Sequence, residues 1–257
     1  DKQYLVRPDP QAIWETPRRL PEWKRANARY LRSQTGGGHW EKKALPESWQ
    51  VHYKDLTFQV KPMNFKHTGL FPEQAVNWDF AMDKIRKANR PIRVLNLFAY
   101  TGGASLAARA AGAEVTHVDS VKPVVGWARE NMERSGLDGV RWIVEDALKF
   151  VQREVRRGNR YAGIVLDPPA YGRGANGEKW VLEEGICEML EHCTRLLEPA
   201  GAFLVLNLYS MGLSPTLART AVRQAFGAPG EEQWGELCFT DRGGKQLPLG
   251  TYYRFVR

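Results

Sequence analysis

The stretch VLNLFAYTGGASLAARAAGAEVTHVDS, residues 94–120, decides the fold. An apolar run enters a turn that contains Gly102 and Gly103, an alanine-rich segment follows, and a second apolar run ends at Asp119, 16 residues after Gly103. Glycines let a ligand approach the backbone, and small residues let a helix pack close to a sheet. The stretch therefore predicts a strand, a glycine turn, a helix and a second strand that ends in an acid, as in a doubly wound α/β fold.

The same alternation continues from Pro91 to the end of the chain. We expect strands at residues 92–98, 114–118, 141–145, 161–166, 202–208, 234–240 and 250–256. We expect helices at residues 103–111, 121–134, 146–157, 178–197 and 214–226. This pattern predicts an α/β fold with a doubly wound, mostly parallel seven-stranded sheet. The last two strands have no helix between them, so one of them should run antiparallel.

The residues before Pro91 follow a different pattern. Residues 1–43 are rich in Arg, Pro and Trp and predict a basic arm with one short helix near residues 21–32, closed by TGGGHW. Residues 50–62 alternate like two strands joined by a turn at Lys54-Asp55, and residues 73–88 predict a helix. We therefore divide the chain into a basic arm (1–43), a small β extension with a following helix (44–90) and a doubly wound α/β domain (91–257).

The positive charge is concentrated in the first third of the chain. The formal net charge is +8; residues 1–90 contain 17 Lys and Arg against 10 Asp and Glu, and residues 91–257 contain 20 against 19. A basic segment attached to a nearly neutral domain favours a polyanionic partner such as RNA. A solvated basic surface without a partner is the alternative.

Composition also bears on whether the protein spans a membrane, forms disulfides or binds a metal. No apolar run approaches the ~18 residues of a membrane span, and we find no signal peptide. The three cysteines have no metal-ligand spacing, and their odd number argues against a disulfide framework. We expect no metal site and a cytoplasmic location. The chain begins at Asp1 rather than at a methionine, and the sequence leaves open whether residues precede it. It does not indicate an oligomeric state.

Acids recur where the predicted parallel strands end. Asp119 ends the second strand, Glu145-Asp146 the third, and Asp167 the fourth. Open α/β sheets bind ligands at these carboxyl ends, and an acid after the second strand is suited to ribose hydroxyls. The turn is not G-x-G-x-x-G, which argues against a dinucleotide. S-adenosylmethionine has a ribose and an adenine but no phosphate, and it fits this pattern.

Several motifs resemble a known family. VLNLFAYTGG, VDSVKPVVGWARENMERSGL, VEDALKFVQREVRRGNRYAGIVLDPPAYG and AGAFLVLNLYSMGLS are similar to successive motifs of class I S-adenosylmethionine-dependent methyltransferases. They most resemble the bacterial large-subunit ribosomal RNA methyltransferases of the 5-methylcytosine type. KHTGLFPEQAVNW, residues 66–78, resembles the segment that precedes the catalytic domain in those enzymes and closes over the cofactor. The resemblance thus implies a cofactor lid within residues 44–90 and a catalytic domain over residues 91–257. The resemblance covers about residues 60–215 and implies methylation of RNA, with ribosomal RNA as the expected substrate.

The resemblance also implies a set of cofactor residues. The methionine part of the cofactor would lie against Asn96, Ala99, Thr101 and Gly102. Asp119 would bind the ribose, Ser120 or Val121 would lie against the adenine, and Asp146 would reach its amino group. Phe71 and Gln74 would close the pocket, with Asp167 bordering it. The residues alone leave alternatives open: Asp119 and Asp146 also suit helix N-caps, and Phe71 suits a plain core position.

One position departs from the family pattern. Cytosine-C5 methyltransferases of this family carry a cysteine after the fifth strand that attacks C6 of the base, whereas LNLYSMGLS has Tyr209 there. Cys187, Cys193 and Cys238 are interpreted as small core residues. Because a nitrogen acceptor needs no covalent adduct, we expect a nitrogen to be methylated.

The stretch LDPPAYGRG is the predicted acceptor site. Asp167 and the Pro168 carbonyl would accept from a base N–H, Pro169 would stiffen the loop, and Tyr171 would stack on a base drawn out of its helix. Tyr171 stands one position later than in the usual Asp-Pro-Pro-Tyr loop.

Other readings stay open. The chain could methylate a small molecule or a protein, or it could be a non-catalytic RNA-binding module on the same fold. Four tryptophans could stack on unpaired bases or anchor the arm: Trp14, Trp23, Trp40 and Trp49. His117 is expected to be a packed strand residue, and His67 a candidate ligand contact beside the lid.

Overall fold

The computed structural model describes residues 2–15, 18–34, 37–174, 177–209 and 212–257. The chain forms two compact units, Asp1–Leu70 and Phe71–Arg257. This division does not coincide with the expected boundaries after residues 43 and 90, and the three-part division stays a prediction. In the described part of the chain, every helix is too short or too polar to cross a membrane.

The described residues of the first unit form five strands and one short helix. In chain order these are β1 (Leu5–Val6), α1 (Pro21–Lys24), β2 (Ala28–Arg32), β3 (Gly38–Lys42), β4 (Trp49–Tyr53) and β5 (Leu56–Val60). Strand β2 pairs in parallel with β1 and antiparallel with β3. Strands β4 and β5 form the expected hairpin, with Lys54 at a positive φ of 50° in its turn.

The expected helix over residues 21–32 is wrong in its second half. Pro21 starts α1, but the helix ends at Lys24, and β2 begins four residues later. In β2 the buried Ala28 and Tyr30 alternate with more exposed neighbours, which is the period of a strand. The expected arm is therefore a three-stranded sheet. Thr35 and Gly36 of TGGGHW lie outside the described residues.

The described residues of the second unit form nine strands, six α-helices and one 3₁₀ turn. The unit begins with a 3₁₀ turn (Pro72–Gln74). The elements that follow are, in chain order, α2 (Ala75–Lys87), β6 (Arg93–Leu97), α3 (Gly103–Ala110), β7 (Glu114–Asp119), α4 (Lys122–Arg134), β8 (Val140–Val144), α5 (Ala147–Arg156), β9 (Gly163–Leu166), β10 (Tyr171–Arg173), β11 (Lys179–Val181), α6 (Leu182–Leu196), β12 (Phe203–Leu208), α7 (Pro215–Phe226), β13 (Glu231–Thr240) and β14 (Gln246–Val256).

The main sheet has the order β13-β14-β12-β9-β6-β7-β8. Strands β12, β9, β6, β7 and β8 are parallel, whereas β14 runs antiparallel to both of its neighbours. The predicted fold class and its single reversed strand are thus confirmed. The five parallel strands bring their carboxyl ends to one edge of the sheet, where the candidate site lies.

Both faces of the sheet are covered. On one face, Leu95, Leu97 and Leu166 pack with apolar side chains of α5, α6 and α7 in one buried core. On the other face, Phe80 of α2 meets Phe203 of β12 edge to face. Alternate residues of each central strand therefore serve opposite faces, as a doubly wound sheet requires.

The helix expected over residues 178–197 begins later. Lys179–Val181 forms β11, which pairs antiparallel with β10, so α6 starts at Leu182. The β10–β11 hairpin was not predicted, because its strands have only three residues each. Residues 175 and 176 between these strands lie outside the described chain.

Candidate active site

The loop after β6 has an unusual backbone that Asp119 holds in place. Phe98 and Tyr100 adopt positive φ values of 55° and 49°, a region that side chains other than glycine rarely occupy. Asp119, at the end of β7, accepts from the Tyr100 N–H and the Val121 N–H, both over 2.9 Å. Burial raises the pKa of Asp119, and these two backbone donors oppose that shift. Asp119 thus fixes the loop and the start of α4 together.

The paired glycines of this loop serve packing. Gly102 lies at φ 93°, which favours glycine. A Cβ atom on Gly103 would lie 2.4 Å from the Trp78 ring of α2. The adjacent Thr101 is buried, and its carbonyl accepts from Asn131 of α4 over 3.0 Å. These contacts account for the small residues at the start of α3.

Asn96 belongs to a buried polar group beneath the loop. Its Nδ2 atom donates to Ser105 Oγ over 2.9 Å, and Ser105 Oγ lies 3.0 Å from Nδ1 of His117. Burial lowers the pKa of His117 to about 3, as suits a packed strand residue. Ala99 is also buried, and its N–H donates to Val118. The proposed contact of Asn96 and Ala99 with the cofactor stays a prediction.

An uncovered apolar surface follows the next two strands. Val121, after β7, and Val144, at the end of β8, have exposed fractions of 43% and 45%. Ser120 beside Val121 is half-buried. Asp146 caps α5 by accepting from the Lys149 N–H over 3.0 Å, so its alternative role as a helix cap is confirmed. The expected contacts of Ser120 or Val121 with the adenine and of Asp119 with its ribose stay predictions.

Asp167 is the central carboxylate of the second half of the site. It follows β9, and its Oδ1 accepts from Nδ2 of Asn207 in the neighbouring β12 over 2.8 Å. Its Oδ2 lies 3.5 Å from Nε2 of Gln74. Burial, together with the nearby charge of Glu73, raises the pKa of Asp167 to about 7, and the Asn207 donor opposes this shift. Asp167 therefore titrates near neutral pH.

Gln74 and Phe71 lie beside Tyr209. Gln74 Nε2 donates to the Tyr209 hydroxyl over 2.9 Å, and that hydroxyl lies 3.5 Å from Glu73 Oε1. The Phe71 ring contacts the rings of Tyr100 and Tyr209, with centroids 5.4 Å and 5.3 Å apart. Phe71 thus bridges the loop after β6 and the end of β12. Burial raises the pKa of Tyr209, which keeps its phenol protonated.

The Asp-Pro-Pro stretch leads into the β10–β11 hairpin. The Pro169 carbonyl accepts from Nε1 of Trp180 over 2.8 Å, and the Ala170 carbonyl accepts from the Leu182 N–H over 3.0 Å. Among the described residues, no donor reaches the Pro168 carbonyl. The Tyr171 side chain is 51% exposed, and its hydroxyl accepts from Nε of Arg173 over 2.9 Å. Asp167 and Pro168 therefore lie at the strand ends, while Tyr171 belongs to the hairpin.

The sequence interpretation missed three polar residues of this half: Glu73, Asn77 and Asn207. Asn207 could have been suspected, because it is an amide inside an otherwise apolar strand next to the Asp167 strand. Asn77 and Glu73 gave no comparable signal, since polar residues are common in the first turn of a helix.

The cysteines take no part in this site. Cys193 of α6 is buried in the hydrophobic core, and this burial raises the pKa of its thiol to about 12. Cys187 of α6 is exposed and Cys238 of β13 is half-buried, so their expected place in the core is wrong. Among the described residues, no three His, Cys, Asp or Glu side chains cluster as a metal site would require. Ser210 and Met211, next to Tyr209, lie outside the described chain.

The sheet order, the glycine turn after β6 and the acids that end β7 and β9 define a class I methyltransferase fold and site. The chain belongs to the S-adenosylmethionine-dependent methyltransferases, whose family matches residues 17–227. The cofactor of this family is therefore S-adenosylmethionine, as the sequence predicted.

Individual relatives agree with this assignment. A solved S-adenosylmethionine-dependent methyltransferase from Agrobacterium tumefaciens is 41% identical, with a TM-score of 0.91 over 98% of this chain and 84% of that chain. The ribosomal RNA large subunit methyltransferase K/L of Shewanella frigidimarina is 33% identical over 58% of this chain and 21% of its own length. The ribosomal RNA large subunit methyltransferase I of Aeromonas salmonicida is 28% identical over 87% of this chain and 54% of its own length. The chain thus spans about a fifth to a half of these two curated relatives.

Proposed function

We propose that the protein methylates a nitrogen atom of a base in RNA, with ribosomal RNA as the substrate. The observation that carries the proposal is the buried Asp167 carboxyl beside the Pro168 carbonyl, with Tyr209 where a C5 methyltransferase has its cysteine. The names of the two ribosomal RNA methyltransferase relatives support RNA as the substrate class.

The two acceptor oxygens are suited to orienting a nitrogen. Asp167 Oδ2 and the Pro168 carbonyl would accept from a base N–H, so that the nitrogen lone pair faces the methyl group. Bound S-adenosylmethionine supplies that methyl group already activated on a sulfonium. The residues of the chain therefore need only hold the acceptor in line and exclude water, without forming a covalent adduct.

The cofactor half of the site would use the residues at the ends of β6, β7 and β8. Asp119 would accept from the ribose hydroxyls while it keeps its two backbone donors, since a carboxylate has about four acceptor positions. Val121 and Val144 would cover the adenine. Phe71, which contacts both Tyr100 and Tyr209, would close the pocket between cofactor and acceptor.

The first unit would contact the RNA backbone. Its lysines and arginines are mostly exposed, which supports binding of a polyanion. Trp40 is an exception among the candidate stacking residues: its Nε1 atom donates to the carbonyls of Met63 and Phe65, both over 3.0 Å, so it is an anchor within the unit. A ribosomal RNA substrate would place the protein in the cytoplasm.

Incubation of the protein with labelled S-adenosylmethionine and total RNA from a strain that lacks it tests the proposal. We expect label in one ribosomal RNA, at a nitrogen that mass spectrometry of the nucleosides identifies. Label in small molecules or proteins would favour the alternative methyltransferase substrates. RNA binding without any methyl transfer would favour a non-catalytic module.

RNA that contains 5-fluorocytidine separates nitrogen from carbon chemistry. A C5 methyltransferase would be trapped covalently on this RNA through a cysteine. We expect no complex that survives denaturation. A trapped adduct mapped to Cys187, Cys193 or Cys238 would contradict a nitrogen acceptor.

A further inference from the structure

Three side chains form a hydrogen-bonded chain that leads to Asp167. Arg254 of β14 donates through Nη1 to the Val76 carbonyl over 2.9 Å and to Asn77 Oδ1 over 3.3 Å. Asn77 Nδ2 donates to Gln74 Oε1 over 2.8 Å. Gln74 Nε2 donates to the Tyr209 hydroxyl and faces Asp167 Oδ2. We call Arg254, Asn77 and Gln74 the amide chain.

The direction of the amide chain follows from Arg254. A guanidinium has five donors and no acceptor, so the Asn77 atom that faces it must be the carbonyl oxygen. The Asn77 amino group then donates to Gln74, which must accept through its side-chain carbonyl oxygen. The Gln74 amino group is left for Tyr209 and Asp167. One residue that cannot accept a hydrogen bond therefore fixes the orientation of two amides in sequence.

This orientation matters because Asp167 titrates near neutral pH. Burial raises its pKa to about 7, so a donor or an acceptor placed beside it decides its charge. The titratable groups that face it are Glu73 from the turn before α2 and Tyr209 after β12. Arg254 from β14 reaches it only through the amide chain. A reversed Gln74 amide would present a carbonyl to Asp167 and favour its protonated form.

We propose that Arg254 is a positioning residue for the acceptor site, which acts through Asn77 to keep the Gln74 amino group directed at Asp167 and Tyr209. The ionised form of Asp167, which would accept from the substrate N–H, is thereby favoured over the protonated form. This inference rests on the proposed function, since that function gives Asp167 its role. It also changes the expectation for Gln74, which serves the acceptor side of the site in addition to any contact with the cofactor.

The variant Asn77→Asp tests the direction of the chain at nearly constant volume. The introduced carboxylate accepts from Arg254 and also from the Gln74 amino group, so Gln74 turns its carbonyl towards Asp167. Arg254→Met removes the donor at the start of the chain, whereas Arg254→Lys retains a side chain that only donates. Lys84→Met is the matched control, because Lys84 lies over the same Phe80 ring as Arg254 but outside the amide chain.

The readout is the titration of the Asp167 carboxyl by ¹³C NMR, with its signal assigned through Asp167→Asn. We expect Asn77→Asp and Arg254→Met to raise the titration midpoint by about one pH unit, in line with the loss of one hydrogen bond to a carboxylate. Arg254→Lys and Lys84→Met should leave it within a few tenths of a unit. Midpoints unchanged in folded Asn77→Asp and Arg254→Met proteins would overturn the inference.

Turnover provides a second readout that separates this inference from the proposed function. In an active enzyme, Asn77→Asp should lower kcat at pH 7 about fivefold, because a midpoint one unit higher lowers the ionised fraction of Asp167 from about one half to about one tenth. The loss should recover at higher pH, with an unchanged affinity for S-adenosylmethionine. An equal loss of kcat at every pH would contradict positioning through the charge of Asp167. If the wild-type protein transfers no methyl group to RNA, the proposed function fails, while the titration still decides whether Arg254 orients the amide chain.

Discussion

The Nδ2 atom of Asn207 donates to the Oδ1 atom of Asp167 over 2.8 Å, so one hydrogen bond joins the ends of two neighbouring strands. Asn207 donates to a carboxyl group that burial holds at a pKa of about 7. The Asp167 carboxyl, which we propose as the acceptor for the substrate N–H, therefore changes between its neutral and its charged form near physiological pH.

Asp167→Asn should change the pH dependence of stability. An unfolded aspartate titrates near 4, so between about pH 4 and the folded pKa of about 7 the folded chain holds a proton that the unfolded chain has released. The free energy of unfolding of the wild type then falls as the pH rises through this window, by up to about 4 kcal/mol. Asp167→Asn, which carries no charge, should raise Tm more at pH 8 than at pH 5.

Thermal unfolding at the two pH values measures this difference. Asp138→Asn is the control, because the Asp138 side chain is 91% exposed and its pairing with Arg109 is worth little. An equal change of Tm at pH 5 and pH 8 in Asp167→Asn would mean that Asp167 is ionised at both.

Asp119→Ala should weaken the binding of S-adenosylmethionine by roughly 1–3 kcal/mol, because the ribose hydroxyls and the backbone donors of Tyr100 and Val121 lose their acceptor. Isothermal calorimetry with the cofactor and with its demethylated product measures the loss. Asp119→Asn, which keeps one acceptor oxygen, should lose less. Binding of equal strength in folded Asp119→Ala would remove Asp119 from the cofactor site.

Gly103→Ala and Gly126→Ala should change stability in opposite directions. Both glycines lie in helices, but a Cβ on Gly103 would lie 2.4 Å from the Trp78 ring, whereas one on Gly126 meets nothing within 4 Å. We expect Gly103→Ala to cost about 1–3 kcal/mol through overpacking. Gly126→Ala should gain up to about 1 kcal/mol from helix propensity. Urea unfolding measures both, and a neutral Gly103→Ala would show that Trp78 moves aside.

Removal of positive charge near α1 should flatten the salt dependence of RNA binding. Four exposed basic residues lie in or next to this helix: Arg18, Arg19, Lys24 and Arg25. If each contacts a phosphate, their replacement by Gln should reduce the slope of log K against log salt by about 3. Filter binding over a range of salt concentrations measures the slope, while affinity for the cofactor should stay constant.

A matched set of exposed arginines in the second unit is the control for this charge experiment: Arg86, Arg134, Arg156 and Arg195. Their replacement by Gln removes the same charge and should change the slope less. Equal slopes in the two sets would assign the effect to net charge rather than to a contact near α1.

The second unit could be predicted from sequence almost element by element. The run from Val94 to Asp119 shows its strand, turn, helix and strand because each element has its own periodicity and the glycines mark the turn. The strands of the first unit could not be predicted in the same way. Strands β2 and β3 have five residues each, with few apolar positions among their Arg, Lys and Trp residues. The place of Tyr171 in the β10–β11 hairpin could not be predicted for the same reason, because a three-residue strand is too short to show an alternating pattern.

The sequence predicted which residues lie at the ends of the parallel strands, but it did not predict the hydrogen-bond partners of their side chains. Asp119, Asp146 and Asp167 were predicted as site residues because the fold brings the carboxyl ends of parallel strands together, and the structure places all three at or just after the ends of such strands. Gln74 was assigned to the cofactor by resemblance, yet its amino group faces Tyr209, 135 residues away in the chain. Side-chain orientation of this kind depends on long-range packing, here on Arg254, and no local pattern reports it.

The position of β9 between β6 and β12 has a consequence for how such enzymes diverge. The strands that carry the expected cofactor residues, β6, β7 and β8, lie on one side of β9, and β12 with Tyr209 lies on the other. If Tyr209 helps to set the acceptor, as we propose, we expect a substitution at the end of β12 to change the target atom while Asp119 keeps its two backbone donors. Under the proposed function, this sheet order would let the target atom change in evolution separately from the residues that bind the methyl donor.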